Sequence, residues 1–245
     1  MVLKRTLCEA TALSELAQSL PSRGTPILAL SDGSLIHWNL ETLPTEARAK
    51  ILPEIIKSWQ QLQAADIPMA GYISAPRTVE ATNFLRLEAC PYPEPNCNQH
   101  CANQLLEHNP CSKIMPLKDA LIWQQVLQPG ECSPLWRSHS RILQEYEGHW
   151  IYFCYLHVGN EIARIEMPEW TALDPNKRSL VISIILAQIQ KGYGYPVALA
   201  EAHNQAVVTS SDRRRFFALL EQQMQRSGIS VTTTAKEARK RSSIA

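Results

Sequence analysis

Apolar positions along the chain switch between two spacings, and the switching sketches the fold. Thr6–Ser19 carries its apolar side chains at helical spacing and stops before Pro21. Ile27-Leu28-Ala29-Leu30 is continuously apolar and runs into Ser31-Asp32-Gly33-Ser34, the pattern of a buried strand that turns or bulges at its glycine. Leu35–Leu40 reads as a second strand or a continuation of the first. Ile51, Ile55, Ile56, Trp59 and Leu62 lie on one stripe of a helix over Pro44–Ala64, with Pro53 marking a kink or a start nearer Leu52. Ile67–Ser74 is a strand and Val79–Leu87 a helix. Periodicity is then lost over residues 90–116, where Pro, Asn and Cys are dense, and the segment reads as an irregular insertion.

Order returns with a helix over Leu117–Leu127, stopped by Pro129-Gly130, and helical structure over Ser138–Tyr146. Trp150–Val158 and Glu161–Met167 form a hairpin about Gly159-Asn160. Leu180–Gln190 is a strongly apolar helix ending at Gly192, Val197–Ala202 a short apolar stretch, and Asp212–Ser227 a last helix capped by Gly228. Strands and helices mix throughout, so the fold class is α/β: a mixed sheet with helices packed on it. There is no internal repeat. One domain is expected over 1–235, followed by a basic, disordered tail over 236–245.

Composition narrows the setting. A chain of 245 residues that is 45% hydrophobic can build a substantial core. No apolar run approaches the roughly 18 residues needed to cross a bilayer. Glu9, Ser14, Glu15 and Gln18 interrupt the N-terminal segment, so no export signal is read and a cytoplasmic protein is expected. Net charge is only +1, so a nucleic acid would be held by local clusters: Lys177–Arg178, Arg213–Arg215 and the tail from Lys236. Each cluster alone reads equally well as a solvated face. Seven cysteines is an odd number, which argues against a disulfide framework. Cys90, Cys97, Cys101 and Cys111 crowd into the insertion without the paired C-x2-C knuckles of structural zinc, and a zinc or iron–sulfur site stands beside four unrelated thiols as its explanation.

Three places can carry chemistry. Asp32 ends an apolar strand, where a carboxylate is offered to a hard cation; the same Asp-Gly also closes a hairpin. Glu166 shares a strand face with Arg164, either as a solvated ion pair or as a second carboxylate brought near Asp32. Tyr195 and His203 follow the Gly192-Tyr-Gly turn, and an imidazole there either binds metal, moves a proton, or caps a helix. There is no phosphate loop, dinucleotide fingerprint or nucleophile elbow, which sets small-molecule enzymes aside.

Leu30-Ser-Asp-Gly-Ser-Leu35, Gly71-Tyr-Ile-Ser-Ala-Pro-Arg77, Ile162-Ala-Arg-Ile-Glu-Met-Pro168 and Gly194-Tyr-Pro-Val-Ala-Leu-Ala-Glu-Ala-His203 occur in the order found in NurA-domain nucleases. From about Pro26 to about Leu220 the chain resembles the bacterial, cyanobacterial-like branch of that family. The resemblance implies an RNase H-like mixed sheet, a Mn²⁺- (or Mg²⁺-) dependent deoxyribonuclease acting at DNA ends, a homodimer, and work with a HerA-type hexameric ATPase in double-strand-break repair. By position it makes Asp32 the metal ligand and Tyr195 and His203 the family's C-terminal pair, with Glu54 as its helix-borne glutamate. Archaeal relatives carry a further aspartate on the strand that here reads Ala70–Ala75, where no carboxylate stands; Glu166, or else Asp119, is expected to take its place. Arg164 and Arg213, Arg214 and Arg215 are expected to hold phosphates. The rival readings are a catalytically silent scaffold that binds DNA or the ATPase, and a nuclease acting on RNA.

Overall fold

The computed structural model describes residues 2–20, 24–102, 105, 108–114, 117–207 and 210–227. Along the chain it forms α1 (Val2–Ser19), β1 (Ala29–Asp32), α2 (Thr45–Ala64), β2 (Met69–Ile73), α3 (Glu80–Glu88), α4 (Cys97–His100), α5 (Asp119–Val126), β3 (Trp136–Arg137), β4 (Ile151–His157), β5 (Ile162–Pro168), α6 (Glu169–Ala172), α7 (Pro175–Lys191), α8 (Val197–Ala206) and α9 (Ser210–Arg226). The sheet lies in the first of two compact units, Met1–Leu199; the second spans Ala200–Ala245. The tail expected at 236–245 lies outside the described residues.

Five strands pair in the order β1-β2-β5-β4-β3. β1 and β2 run parallel, and every other pairing is antiparallel. This is the mixed, helix-flanked sheet that the sequence pattern predicts. One face carries Ala70, Tyr72, Cys154, Ala163 and Ile165 and is covered by Val181, Ile185 and Ile189 of α7. The opposite face is covered by α1 and α2 around Trp59 and Tyr146, and at its far end by Ala81 of α3 and Trp123 of α5, packed on Phe153 and Tyr155.

Local chemistry explains where the elements begin. α7 starts well before its apolar run because Asp174 accepts hydrogen bonds from the Asn176 and Lys177 amides at 2.8 and 3.2 Å and Pro175 opens the helix. α2 runs through Pro53, since the buried stripe Leu52, Ile55, Ile56, Trp59 and Leu62 holds it against the core. Two expectations need correcting. Leu35–Leu40 is not a strand: the chain leaves the sheet at Gly33, buries Leu35, Ile36 and Leu40, and makes one 3-10 turn over Trp38–Leu40. Ser138–Tyr146 holds only a 3-10 turn at Arg141–Glu145, behind the short strand β3. The short apolar stretch Val197–Ala202, for which the sequence pattern predicts no element, opens a helix, α8.

The crossover at Gly33 depends on two glycines. Gly33 has φ +106°, a conformation that side chains disfavour. A Cβ on Gly71 would stand 2.6 Å from the Gly33 carbonyl oxygen, so β2 must be bare where the chain passes over it.

His37, at the end of this crossover, packs against the Trp59 and Tyr146 pair, and its amide donates to the Tyr146 hydroxyl at 2.8 Å. Burial lowers its pKa from 6.5 to about 4, with Glu9 opposing. An imidazole kept neutral by the fold stabilises it above pH 6.5, and that contribution is lost as pH falls towards 4. We expect the protein to lose about 3 kcal/mol across this window from His37. Denaturant titrations of wild type and His37→Gln at both ends of the window check it; equal pH dependence in the two would refute it.

Candidate active site

Asp32 is the last residue of β1 and is exposed. Its partner in register is Tyr72 of β2, itself paired with Ile165 of β5, so these three side chains leave the sheet on one face. There the Gly192–Pro196 turn after α7 brings in Tyr195, whose hydroxyl donates to Asp32 Oδ1 at 2.8 Å. The Tyr195 ring meets the Tyr72 ring edge-on with centroids 5.4 Å apart. β5 begins beside the end of β2, and Glu161, just ahead of β5, accepts a hydrogen bond from Ser74 Oγ at 2.6 Å.

The electrostatics tie these groups together. Burial, the Asp32 hydrogen bond and the charges of Asp32 and Glu161 all push the Tyr195 hydroxyl well above its ordinary pKa. Burial, followed by Glu161 and Tyr195, does the same to Tyr72. Both therefore stay protonated donors. The Tyr72 hydroxyl is buried and has no hydrogen-bond partner among the described residues. Arg5 of α1, raised chiefly by its Glu9 partner at 2.7 Å, also feels the charge of Asp32.

Glu166 lies elsewhere. It pairs with Gly71, one residue out of step with the Asp32–Tyr72 row, and so faces the opposite side of the sheet. Its side chain is fully buried: Oε1 accepts from Arg164 Nε at 2.8 Å, and Oε2 from Ser34 Oγ at 2.7 Å and the Leu35 amide at 2.8 Å. The arginine does steady it, as the sequence allowed. What Glu166 holds is the chain leaving Asp32.

Arg164 is fully buried too, over the Phe153 ring at 3.7 Å and in an ionic contact with Glu80 at 2.6 Å. The expectation that it grips a phosphate is therefore corrected: its charge is spent inside the fold. Asp119 is likewise committed, accepting from the Ala81 and Thr82 amides and the Thr82 and Tyr155 hydroxyls. It caps α3 from outside that helix. Glu54 stands off the buried stripe of α2, with Lys57 at 3.8 Å. In the second unit, His203 is exposed on α8, and Arg214 and Arg215 are exposed on α9 with Arg213 beside them in sequence.

Among the described residues, no three His, Cys, Asp or Glu side chains come close enough together to hold a metal ion. The edge at Asp32 nonetheless offers hard oxygen donors, the Asp32 and Glu161 carboxylates. A cation that keeps several waters and needs only one or two carboxylates fits such an edge. The four insertion cysteines are free thiols; Cys101 is raised by burial and by Cys97, Cys111 and Cys90. Reading the sequence alone missed Glu161, Tyr72 and Arg5. The hairpin at Gly159-Asn160 was the available signal for Glu161, since it fixes which end of the sheet Glu161 occupies.

Fold and edge together define an α/β protein that presents acidic oxygens at the end of a parallel strand. The chain belongs to the NurA family: residues 3–208 match the NurA domain. Its fold is similar to that of the NurA nuclease from Sulfolobus solfataricus, with a TM-score of 0.53 and 13% sequence identity over 91% of this chain and 67% of that one. No curated protein sequence matches the chain.

Proposed function

We propose that this chain is a metal-dependent deoxyribonuclease that hydrolyses phosphodiester bonds at DNA ends, working as a homodimer with a HerA-type ATPase in double-strand-break repair. The observation that carries this reading is the exposed Asp32 carboxylate, held by Tyr195 at 2.8 Å within a NurA domain. Family membership supports the chemistry and the partners. The free state of all seven cysteines suits a reducing, cytoplasmic setting, and no helix among the described residues is long and apolar enough to cross a membrane.

In this reading Asp32 and Glu161 hold Mn²⁺ or Mg²⁺. When bound, such an ion neutralises charge on the scissile phosphate and acidifies water. Tyr195, kept protonated by burial and its carboxylate neighbours, orients Asp32 and takes no proton itself. Tyr72 is fully buried and braces the Tyr195 ring edge-on. Arg5, and Arg213–Arg215 in the second unit, are cations for the backbone of the strand. His203, in the second unit, remains a proposed catalytic residue by the family resemblance alone, and Glu166 and Arg164 act only through the fold.

Labelled linear duplex DNA, single-stranded DNA and RNA, each incubated with Mn²⁺, Mg²⁺ or chelator, test this. DNA shortening with metal, its loss with chelator, and weaker cutting by Glu161→Gln are expected. The absence of a closed three-donor group among the described residues favours a second reading, a silent scaffold for DNA or the ATPase. Retained DNA binding with no cleavage under any metal would establish it, and preferential RNA cleavage would replace the substrate.

A further inference from the structure

Two thiols outside this edge meet in a cavity. The segment ahead of β3 lies along β4: the Ser133 amide donates to the Tyr155 carbonyl at 2.8 Å, and the His157 amide to the Glu131 carbonyl at 3.0 Å. Between those bonds Cys132 bridges Leu156 as a non-hydrogen-bonded antiparallel pair, the arrangement that brings side chains closest. Cys154 stands two residues from Leu156 on the same face, diagonally across from Cys132. Each thiol acts on the other's ionisation, Cys154 lowering the pKa of Cys132 and Cys132 raising that of Cys154.

Their accessibilities differ in a useful way. Cys132 is exposed and Cys154 is buried, and neither is in a disulfide. Both line a cavity of about 440 Å³, shared with Arg178, Ser179, Ile182 and Ser183 of α7. The Arg178 guanidinium lies near enough to act on the Cys154 thiol. Cys154 lowers the pKa of the Cys132 thiol, and an exposed thiol diagonally across a strand pair from a second thiol in one cavity is the arrangement of an oxidisable pair.

We propose that Cys132 and Cys154 form a redox modification site that takes small hydroperoxides, with Cys132 attacking and Cys154 resolving. The Cys132 thiolate attacks one peroxide oxygen and the O–O bond breaks. The leaving oxygen departs as an alcohol or water with the proton the thiol gave up, and Cys132 becomes a sulfenic acid. Cys154 sulfur then attacks Cys132 sulfur; the S–S bond forms, and the displaced hydroxide leaves as water with the Cys154 proton. Two thiols are oxidised by two electrons and one peroxide is reduced. A thiol reductant reverses it. The polar lining from Arg178 and the two serines supplies donors for peroxide and leaving oxygen.

The test is full-length protein exposed to stoichiometric hydrogen peroxide, then peptide mapping of all seven cysteines by mass spectrometry. A Cys132–Cys154 crosslinked peptide, lighter by two hydrogens and restored by reductant, is the expected product. Cys132 should oxidise at least about tenfold faster than Cys8, an exposed cysteine with no resolving partner assigned to it. Cys154→Ala should leave Cys132 trapped as a dimedone adduct, and Cys132→Ser should abolish the crosslink. The wild-type map stands alone if the buried variant fails to fold. Cys132 reacting no faster than Cys8, or going to sulfinic acid in wild type without a crosslink, would overturn the proposal.

Discussion

Arg164→Met is expected to destabilise the protein by about 3–5 kcal/mol, the range for removing one partner of a buried ion pair. Its guanidinium is fully buried between Glu166 at 2.8 Å and Glu80 at 2.6 Å, above the Phe153 ring. Burial alone would lower its pKa, and the two carboxylates more than restore it, leaving a cation well above the ordinary arginine range. Without it Glu166 is a charge inside the sheet layer, held only by the Ser34 hydroxyl and the Leu35 amide. Methionine fills much of the space, so the loss should report charge more than cavity. Many buried ion pairs are replaced by apolar residues at little cost. Here Arg164→Met combined with Glu166→Met should recover only part of the stability, because Ser34 Oγ and the Leu35 amide would lose their acceptor. Urea unfolding of wild type and the two variants decides the matter, and a loss below about 1 kcal/mol in Arg164→Met would refute the account.

The same network shows what the sequence could and could not say. Helices α2 and α7 follow from periodicity because each buries one stripe. Strands β2, β4 and β5 are buried on both faces and are legible instead as apolar, β-branched and aromatic runs between turns. Asp32 and Tyr195 were legible from their motifs, and they meet. Glu166 shows the limit. Its strand makes plain that it shares a face with Arg164, but not which face of the sheet that is relative to Asp32. That depends on the pairing Gly71↔Glu166 against Asp32↔Tyr72, and a shift of one residue would exchange the two sides. Register between segments so far apart in sequence is a tertiary fact, fixed here by the bare Gly71 under Gly33 and by the Ser34 and Leu35 bonds to Glu166. Leu35–Leu40 misled for a related reason: its apolar residues are buried beneath α2 after the crossover, and burial alone does not distinguish a strand from a coil pressed into a core.

The two sides of the sheet therefore separate two carboxylates that the sequence placed in one site, and Asp32→Asn should expose the division. Asn keeps the shape of Asp32 and an oxygen to accept from Tyr195, but removes the charge. Because Asp32 is exposed at a strand end, its stability should change by no more than about 0.5 kcal/mol. Its DNA cleavage with Mn²⁺ should fall by about 100-fold or more, since a neutral amide holds a hard cation and an oriented water poorly. Glu166→Gln should show the reverse emphasis: a clear loss of stability, with cleavage reduced only as far as the Ser34–Leu35 anchor beneath Asp32 loosens. Melting curves and single-turnover cleavage on the two variants side by side separate these effects. Cleavage by Asp32→Asn within a few-fold of wild type would remove Asp32 from the chemistry, and with it the assignment of the active edge to this face of the sheet.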